Sequence, residues 1–208
     1  MASVDLGGTA SAQSPVVIHP AWVRVTHWIN ALAIFVMIGS GWRIYDASPL
    51  FPFEFPDSIT LGGWLAGALL WHFAAMWVLV INGIAYVSLG ILTGRFRRKL
   101  LPIHPAEVAA DIKAALSGKL SHDDLSMYNS VQRLLYLGVI CAGIIVVLSG
   151  LSIWKPVQLQ VLTSLFGGYD AARYVHFFAM AAIAGFVAIH VVMALLVPKS
   201  LRTMIKGR

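Results

Sequence analysis

The stretch that decides the fold is residues 174–197, YVHFFAMAAIAGFVAIHVVMALLV, which contains no Asp, Glu, Lys or Arg. It is long enough to cross a bilayer as one helix, which takes about 20 apolar residues. Two histidines, His176 and His190, lie fourteen residues apart in it. At about 1.5 Å and 100° per residue, their imidazoles differ by roughly 21 Å in depth and share nearly the same helix face. Ionisable groups at such depth are costly and indicate function.

The composition predicts an integral membrane protein. Of the 208 residues, 59% are hydrophobic and only 12% are charged, whereas soluble domains are about half apolar and a quarter charged. The mean hydropathy is +0.79. The net charge of +6 does not indicate nucleic acid, because the basic residues flank the apolar segments.

Four transmembrane spans are predicted, at about residues 27–45, 62–93, 134–154 and 174–197. We therefore expect an all-α membrane protein, a four-helix transmembrane bundle that forms a single domain over residues 21–208. Residues 1–20 are predicted to be a flexible N-terminal tail. A short helix is also predicted at Pro105–Leu116, where proline favours a helix start and Gly118 follows its end.

Lysine and arginine in the loops set the expected orientation. The loop between spans two and three and the C-terminal tail are rich in both residues, whereas the loop between spans one and two is acidic and rich in Phe and Pro. Both termini should therefore be cytoplasmic. This orientation puts His27 and His190 near the inner face, and His72 and His176 near the outer face.

Histidines that pair by depth are what two bis-histidine haems, one near each face, require, because imidazole is a common ligand of haem iron. The predicted pairs are His27 with His190 and His72 with His176. A single histidine in a membrane helix is often only a hydrogen-bonded packing residue, but that reading explains a set of four less well. The absence of a Cys-x-x-Cys-His motif favours b-type haem without thioether links.

Several further residues receive an expected role. Four cations at the membrane edges, Arg24, Arg43, Lys155 and Arg173, could pair with haem propionates or be ordinary interfacial cations. Arg43 and Arg173 are the better candidates, because both lie at the outer edge. Glycines in the spans would let a flat macrocycle approach the backbone, or else mark helix–helix contacts; they are Gly39, Gly41, Gly138, Gly143, Gly150 and Gly185. The histidines outside the spans, His19, His104 and His122, are expected to be solvated.

Three stretches resemble one family, the bacterial dihaem cytochrome b superfamily. They are RVTHW at 24–28, WHF at 71–73 and YNSVQR at 128–133, together with the fourteen-residue histidine spacing on the last span. The superfamily includes bacterial cytochrome b561 and the membrane subunits of formate dehydrogenases and nickel–iron hydrogenases. The resemblance covers nearly the whole chain. Hydrogenase-type subunits can carry a fifth span, and its absence from this prediction argues against a hydrogenase partner.

The resemblance implies a multi-pass protein of the bacterial inner membrane that binds two haem b groups. It also implies a quinone, ubiquinone or menaquinone, at Asn129 and Gln132 beside the inner haem. Residues 155–157, KPV, resemble subunits that pair with periplasmic molybdenum enzymes, so a molybdoenzyme or another periplasmic redox protein is the expected partner. Electrons would pass between the quinone pool and that partner.

Two other functions stay open at the level of sequence. Some bacterial cytochrome b561 proteins oxidise superoxide at the periplasmic face, where Arg43, Lys155 and Arg173 would attract the anion. A structural bundle without a cofactor is the third class. The sequence leaves both a monomer and a homodimer open.

Overall fold

The computed structural model describes residues 18–102, 104–117 and 130–207, with only the backbone given at positions 115 and 116. Every regular element within these residues is helical. Most of the predicted N-terminal tail lies outside the described residues. His122 and Asn129, which belong to the loop before α5, also lie outside them.

Four long helices confirm the predicted spans and the all-α membrane fold. They are α1 (Ala21–Asp46), α2 (Leu65–Leu92), α5 (Ser130–Trp154) and α7 (Tyr169–Leu196), each long and apolar enough to cross a membrane. Three of them, α1, α5 and α7, begin four to six residues earlier than predicted, and α2 begins three residues later. Helix α1 starts after Pro20, so His27 lies nearly two turns inside it, and α7 starts after Gly168, whose φ of +104° favours glycine.

Shorter helices complete the chain: α3 (Arg95–Lys99), α4 (Pro105–Leu116), α6 (Gln160–Leu165) and α8 (Pro198–Lys206). Helix α4 has the predicted bounds. Its Asp111 carboxylate accepts a hydrogen bond from the Ser130 backbone N–H at 2.7 Å, and its Glu107 carboxylate accepts one from the Ser130 hydroxyl at 2.9 Å. Because the first N–H groups of a helix lack partners within it, α4 caps the start of α5.

The four spans pack as two antiparallel pairs, α1 with α2 and α5 with α7, and contacts between the pairs are sparse. We call the end of the bundle where α1 begins and α7 ends the proximal end, and the opposite end the distal end. A buried amide joins the first pair: Asn82 Nδ2 of α2 donates to the Thr26 carbonyl and to Asn30 Oδ1 of α1, both at 2.7 Å. Such interhelical hydrogen bonds hold membrane helices in register.

The apolar core lies midway between the two ends. It consists of Val146, Ala179 and Ile183, with Ile34 of α1 packed against it from the other helix pair. Ile183 is seven residues from His176 and seven from His190, which is roughly 10 Å along the helix in each direction. The core therefore separates the two histidine levels.

Ile18 and Gly207, the first and last residues that the structure describes, meet at the proximal end. The Ile18 backbone N–H donates to the Gly207 carbonyl at 2.9 Å, and Arg24 Nη1 donates to the Ile205 carbonyl at 2.7 Å. His19 is buried here, and its Nδ1 accepts a hydrogen bond from Arg95 Nη2 at 3.2 Å. The prediction that His19 is solvated is therefore wrong, because α8 and α3 fold over it. His104 is exposed as expected.

The pH dependence of stability tests this arrangement of His19. Burial and the neighbouring Arg95 cation lower the pKa of His19 to about 4 in the folded protein. In the unfolded chain the pKa is about 6.5, so between these two pH values the unfolded chain binds a proton that the folded protein does not. Stability should be fully present above about pH 6.5 and should fall as the pH approaches 4. Each kcal/mol lost should lower the melting temperature in detergent by about 2–4 °C.

His19→Gln, which keeps a hydrogen-bond acceptor but does not titrate, should flatten this dependence. His104→Gln, at an exposed position, is the matched control and should leave it unchanged. Equal slopes for the wild type and His19→Gln would contradict the buried placement of the neutral imidazole.

Candidate functional site

Four histidines on three helices form two ring pairs at different depths. His72 of α2 and His176 of α7 lie near the distal end, with ring centroids 6.5 Å apart and ring planes at 62°. His27 of α1 and His190 of α7 lie near the proximal end, with centroids 6.0 Å apart and planes at 65°. These are the pairs that the depth argument predicts from the sequence. That each pair ligates a haem iron stays a prediction.

The ring separation in each pair suits a metal held between two imidazoles. A nitrogen ligand binds a transition metal at about 2.0–2.1 Å, and with each centroid behind its nitrogen, two opposed rings come to roughly 6.3 Å between centroids. The two observed separations lie on either side of this value. The residues present therefore fit a metal that would be held between the two imidazoles of each pair.

Hydrogen bonds at the distal pair assign the tautomer of His176. Its Nδ1 lies 3.0 Å from the Val146 carbonyl oxygen, which can only accept, so Nδ1 carries the proton. The lone pair is then on Nε2, where a metal would bind. His72 Nδ1 likewise lies 3.0 Å from the Ser40 hydroxyl. A partner on the second ring nitrogen is the usual arrangement for a metal-ligating histidine.

Two glycines give the distal imidazoles their space. A Cβ at Gly150 would lie 3.1 Å from His176 Cε1, and one at Gly41 would lie 3.3 Å from His72 Cε1. Both distances are tighter than ordinary carbon–carbon contacts of about 3.5–4.0 Å. These glycines were predicted to admit a macrocycle or a neighbouring helix, and in the structure each one admits a histidine edge.

The proximal pair is surrounded by rings. His190 stacks on Phe186 at 5.6 Å with an interplanar angle of 10°, and His27 meets Trp28 edge-on at 5.3 Å. Within the described part of the chain, neither imidazole forms a hydrogen bond. The two levels thus share ligand type and spacing but differ in what holds the rings.

An aromatic cover closes the distal end. The loop between α1 and α2, called the distal loop, folds back over this end. The ring of its Phe53 packs on Tyr45 of α1 and on Phe177 of α7, with centroids 5.3 and 6.4 Å apart. The ring of Phe51 packs on Phe177 at 5.3 Å, and the Phe51 backbone N–H donates to the Tyr45 hydroxyl. These contacts fix the loop above the distal histidines. Phe53 remains 45% exposed.

Arg43 and Arg173, the two preferred candidates for haem propionates, both bind the loop between α1 and α2. Arg43 forms a salt bridge with Asp57, and Arg173 donates to the carbonyl and, at 3.1 Å, to the hydroxyl of Ser48. Arg173 precedes His176 by three residues and so lies one turn from it. Their role towards propionates stays a prediction.

Of the two residues predicted to bind quinone, one is described. Gln132 is exposed in the first turn of α5, at the proximal end that also holds His27 and His190. Asn129 lies outside the described residues. The predicted quinone contact therefore stays a prediction at both positions.

Sequence reasoning missed the two serines beside the distal histidines, whereas Arg24 is among the cations that the sequence offers as propionate partners. The Nε of Arg24, one turn before His27, is buried and has no hydrogen-bond partner in the described chain. The hydroxyls of Ser40 and Ser149 contact the distal imidazoles. The serines carried no sequence signal of their own, whereas Arg24 was visible as part of the RVTHW motif.

Comparison with known proteins gives two matches. The family model described as prokaryotic cytochrome b561 matches residues 18–207. A relative from Azospira oryzae is 55% identical over 190 residues, which cover 91% of this chain and 96% of the relative. That relative is named "Putative protein-methionine-sulfoxide reductase subunit YedZ1".

Gly150→Ala tests the close approach at the distal level. The added Cβ would push His176 by a few tenths of an ångström and misalign its ring, and disturbing the groups around a metal ligand typically costs about 10–100-fold in metal affinity. We expect the variant to lose haem to an apo-globin acceptor at least about tenfold faster than the wild type. Gly83→Ala, where a Cβ meets no atom within 4 Å, is the control. Equal rates of haem loss from the two variants would contradict a role for the close approach of Gly150 to His176.

Proposed function

Because the chain belongs to the prokaryotic cytochrome b561 family of b-type haem membrane proteins, we propose that it binds two haems and carries electrons between the quinone pool and a periplasmic redox partner. The family and the four apolar helices make it a multi-pass protein of the bacterial inner membrane. The observation that carries the proposal is the presence of two imidazole pairs, each spaced for one metal, at two depths.

His27 with His190, and His72 with His176, are the proposed axial ligands. Bound haem would supply reversible one-electron oxidation and reduction. Two imidazoles at each level would occupy both axial positions and so exclude oxygen and other small ligands. The core around Ile183 would keep water out of the region between the levels.

The proposed orientation has the proximal end in the cytoplasm. Helix α3, RFRRK, lies at that end, and α8 adds Lys199, Arg202 and Lys206. The distal loop carries Asp46, Glu54 and Asp57. Lysine and arginine concentrate on the cytoplasmic side of membrane proteins, so the charge distribution supports both termini in the cytoplasm.

Arginines at both levels are proposed to hold haem propionates. At the proximal level Arg24 is the best supported, because its buried Nε–H has no partner in the described chain and a carboxylate would supply one. At the distal level Arg43 and Arg173 are proposed. Their present bonds to Asp57 and Ser48 leave further N–H groups on each guanidinium, which has five.

The quinone is proposed to bind at the proximal end, next to the His27–His190 level. Asn129 and Gln132 would donate amide N–H groups to a quinone carbonyl. Ubiquinone and menaquinone both offer this carbonyl. The exposure of Gln132 in the first turn of α5 supports access from the membrane or the inner surface.

The proposed partner is the catalytic subunit of a periplasmic protein-methionine-sulfoxide reductase. The name of the Azospira oryzae relative, which matches over nearly its full length, supports this choice. The partner class expected from the sequence, a periplasmic molybdoenzyme, is kept in the proposal. The alternative of superoxide oxidation is less well supported, because Arg43 is neutralised by Asp57 and Arg173 is engaged by Ser48.

Separate removal of the two levels tests the haem proposal. His190→Leu should remove the proximal haem and His72→Leu the distal haem, so each variant should keep about half of the wild-type haem and lose a different component of the redox-titrated absorption spectrum. His104→Leu, at an exposed loop position, should keep all of it. Loss of the same component in both variants would refute the pairing.

Quinol-driven haem reduction tests the proximal site. Gln132→Leu should slow the initial rate by about fivefold, the effect of one lost hydrogen bond of about 1 kcal/mol, and Asn129→Leu should act in the same direction. Gln158→Leu changes an exposed glutamine near the distal end and should leave the rate unchanged. A wild-type rate in both proximal variants would exclude the assigned quinone contact.

A further inference from the structure

The same local arrangement occurs twice at the distal level. Helices α1 and α5 each carry a Ser-Gly pair whose serine is the twentieth residue of the helix, Ser40 and Ser149. Their partner helices α2 and α7 each carry a histidine as the eighth residue, His72 and His176. Each serine contacts the histidine of its partner helix. The two helix pairs are therefore built alike around the distal site.

The two serine hydroxyls act as hydrogen-bond acceptors. Ser40 Oγ lies 2.6 Å from the Val36 carbonyl, and Ser149 Oγ lies 2.7 Å from the Ile145 carbonyl. A hydroxyl has one proton, and a carbonyl can only accept, so that proton is used within the serine's own helix. The contacts from Ser40 Oγ to His72 Nδ1 at 3.0 Å and from Ser149 Oγ to His176 Nδ1 at 3.2 Å are then donated by the imidazoles.

Backbone positions repeat in the same pattern. The Val146 carbonyl, three residues before Ser149, accepts from His176 Nδ1 at 3.0 Å. Met37 holds the equivalent position on α1, three residues before Ser40. Both serines are fully buried, at 0% exposure, so water does not compete for these bonds. His176 thus donates its Nδ1–H into a dry pair of oxygen acceptors, and His72 donates its Nδ1–H to a dry serine oxygen.

We infer that Ser40 and Ser149 are positioning residues that lower the midpoint potential of the distal haem through its two axial histidines. The inference rests on the proposed haem ligation. An imidazole that donates its second N–H becomes a more basic ligand, and a more basic ligand stabilises the ferric state over the ferrous state. Hydrogen bonding around the ligands is one of the means by which a protein sets the potential of bound iron.

The proximal level has no counterpart of these serines among the described residues. His27 and His190 contact Trp28, Phe186 and each other through their rings, without a hydrogen bond to the described chain. The position on α5 that matches His27 on α1 is Tyr136, and the position on α2 that matches His190 on α7 is Tyr86. The repeat therefore applies only to the distal haem, and removing the hydroxyls should affect that haem alone.

Potentiometric titration of the purified holoprotein tests the inference. Ser40→Ala and Ser149→Ala should each raise the midpoint potential of the same haem, the one lost in His72→Leu, and leave the other haem unchanged. We expect the ratio of oxidised to reduced distal haem at a fixed ambient potential to fall about threefold to tenfold per hydroxyl, which corresponds to about 30–60 mV for one electron. The double variant should shift further.

The control is Ser152→Ala. Ser152 is equally buried on α5, and its hydroxyl donates to the Leu148 carbonyl at 3.0 Å, so its removal tests the loss of a buried serine without a change at a histidine. Both midpoint potentials should stay at their wild-type values. If Ser152→Ala shifts the distal haem as much as Ser149→Ala does, the effect is general packing and the inference is wrong.

Ser40→Cys covers the case in which alanine causes loss of the distal haem. The thiol keeps most of the volume but is a weak acceptor, so the distal potential should again rise. Two haems with unshifted potentials, or loss of the distal haem from both Ser40 variants, would overturn the tuning role. A wild-type preparation that lacks one or both haems would instead refute the proposed function on which the inference rests.

Discussion

The structure depends on holding two pairs of imidazoles, with ring centroids 6.0 and 6.5 Å apart, at two depths of a membrane. One helix, α7, supplies a histidine at both depths, and the fourteen-residue spacing keeps these histidines on one face. The partners come from the other helix pair: His72 from α2 and His27 from α1. Since these two helices run in opposite directions, one antiparallel pair can serve both levels.

This arrangement explains why the helices pair as they do. Close contacts occur within the pairs α1–α2 and α5–α7, through the buried Asn82 amide in the first and the Val146–Ala179–Ile183 core in the second. Contacts between the pairs are sparse, apart from Ile34 on the core and the aromatic cover of the distal end. Sparse contact between the two helix pairs suits a bundle that holds two flat cofactors at different depths. Membrane helices can keep such contact sparse because lipid tails offer no hydrophobic drive between helices.

The two levels are alike in ligands and unlike in surroundings. Distal imidazoles donate into serine and carbonyl oxygens and lie beneath a cover of phenylalanines. The proximal imidazoles lie among aromatic rings, near an arginine whose buried N–H has no partner among the described residues. Different surroundings would give the two proposed haems different potentials, because hydrogen bonding and burial around the ligands set the potential of bound iron. The distal hydrogen bonds offer a physical source for part of that difference.

Much of this fold could be predicted from the sequence, because its strongest signals are local. A run of apolar residues predicts a span, histidine spacing predicts depth, and loop charges predict which ends share a face, so both histidine pairs follow from the sequence. The start of α1 before His27 was missed, since Arg24 interrupts the apolar run. The burial of His19 depends on Gly207 at the other end of the chain, and the role of Ser40 depends on a histidine 32 residues away. Such contacts leave no periodic pattern, so they emerge only from the packed helices.

The most direct measurement of the central claim is the ratio of haem b to polypeptide in the purified wild-type protein, from the pyridine haemochrome spectrum and quantitative amino-acid analysis. Two imidazole pairs, each spaced for one metal, predict a ratio of two, with both haems hexacoordinate and unreactive towards carbon monoxide in the reduced state. A ratio of one, a colourless protein or a haem that binds carbon monoxide would contradict the account.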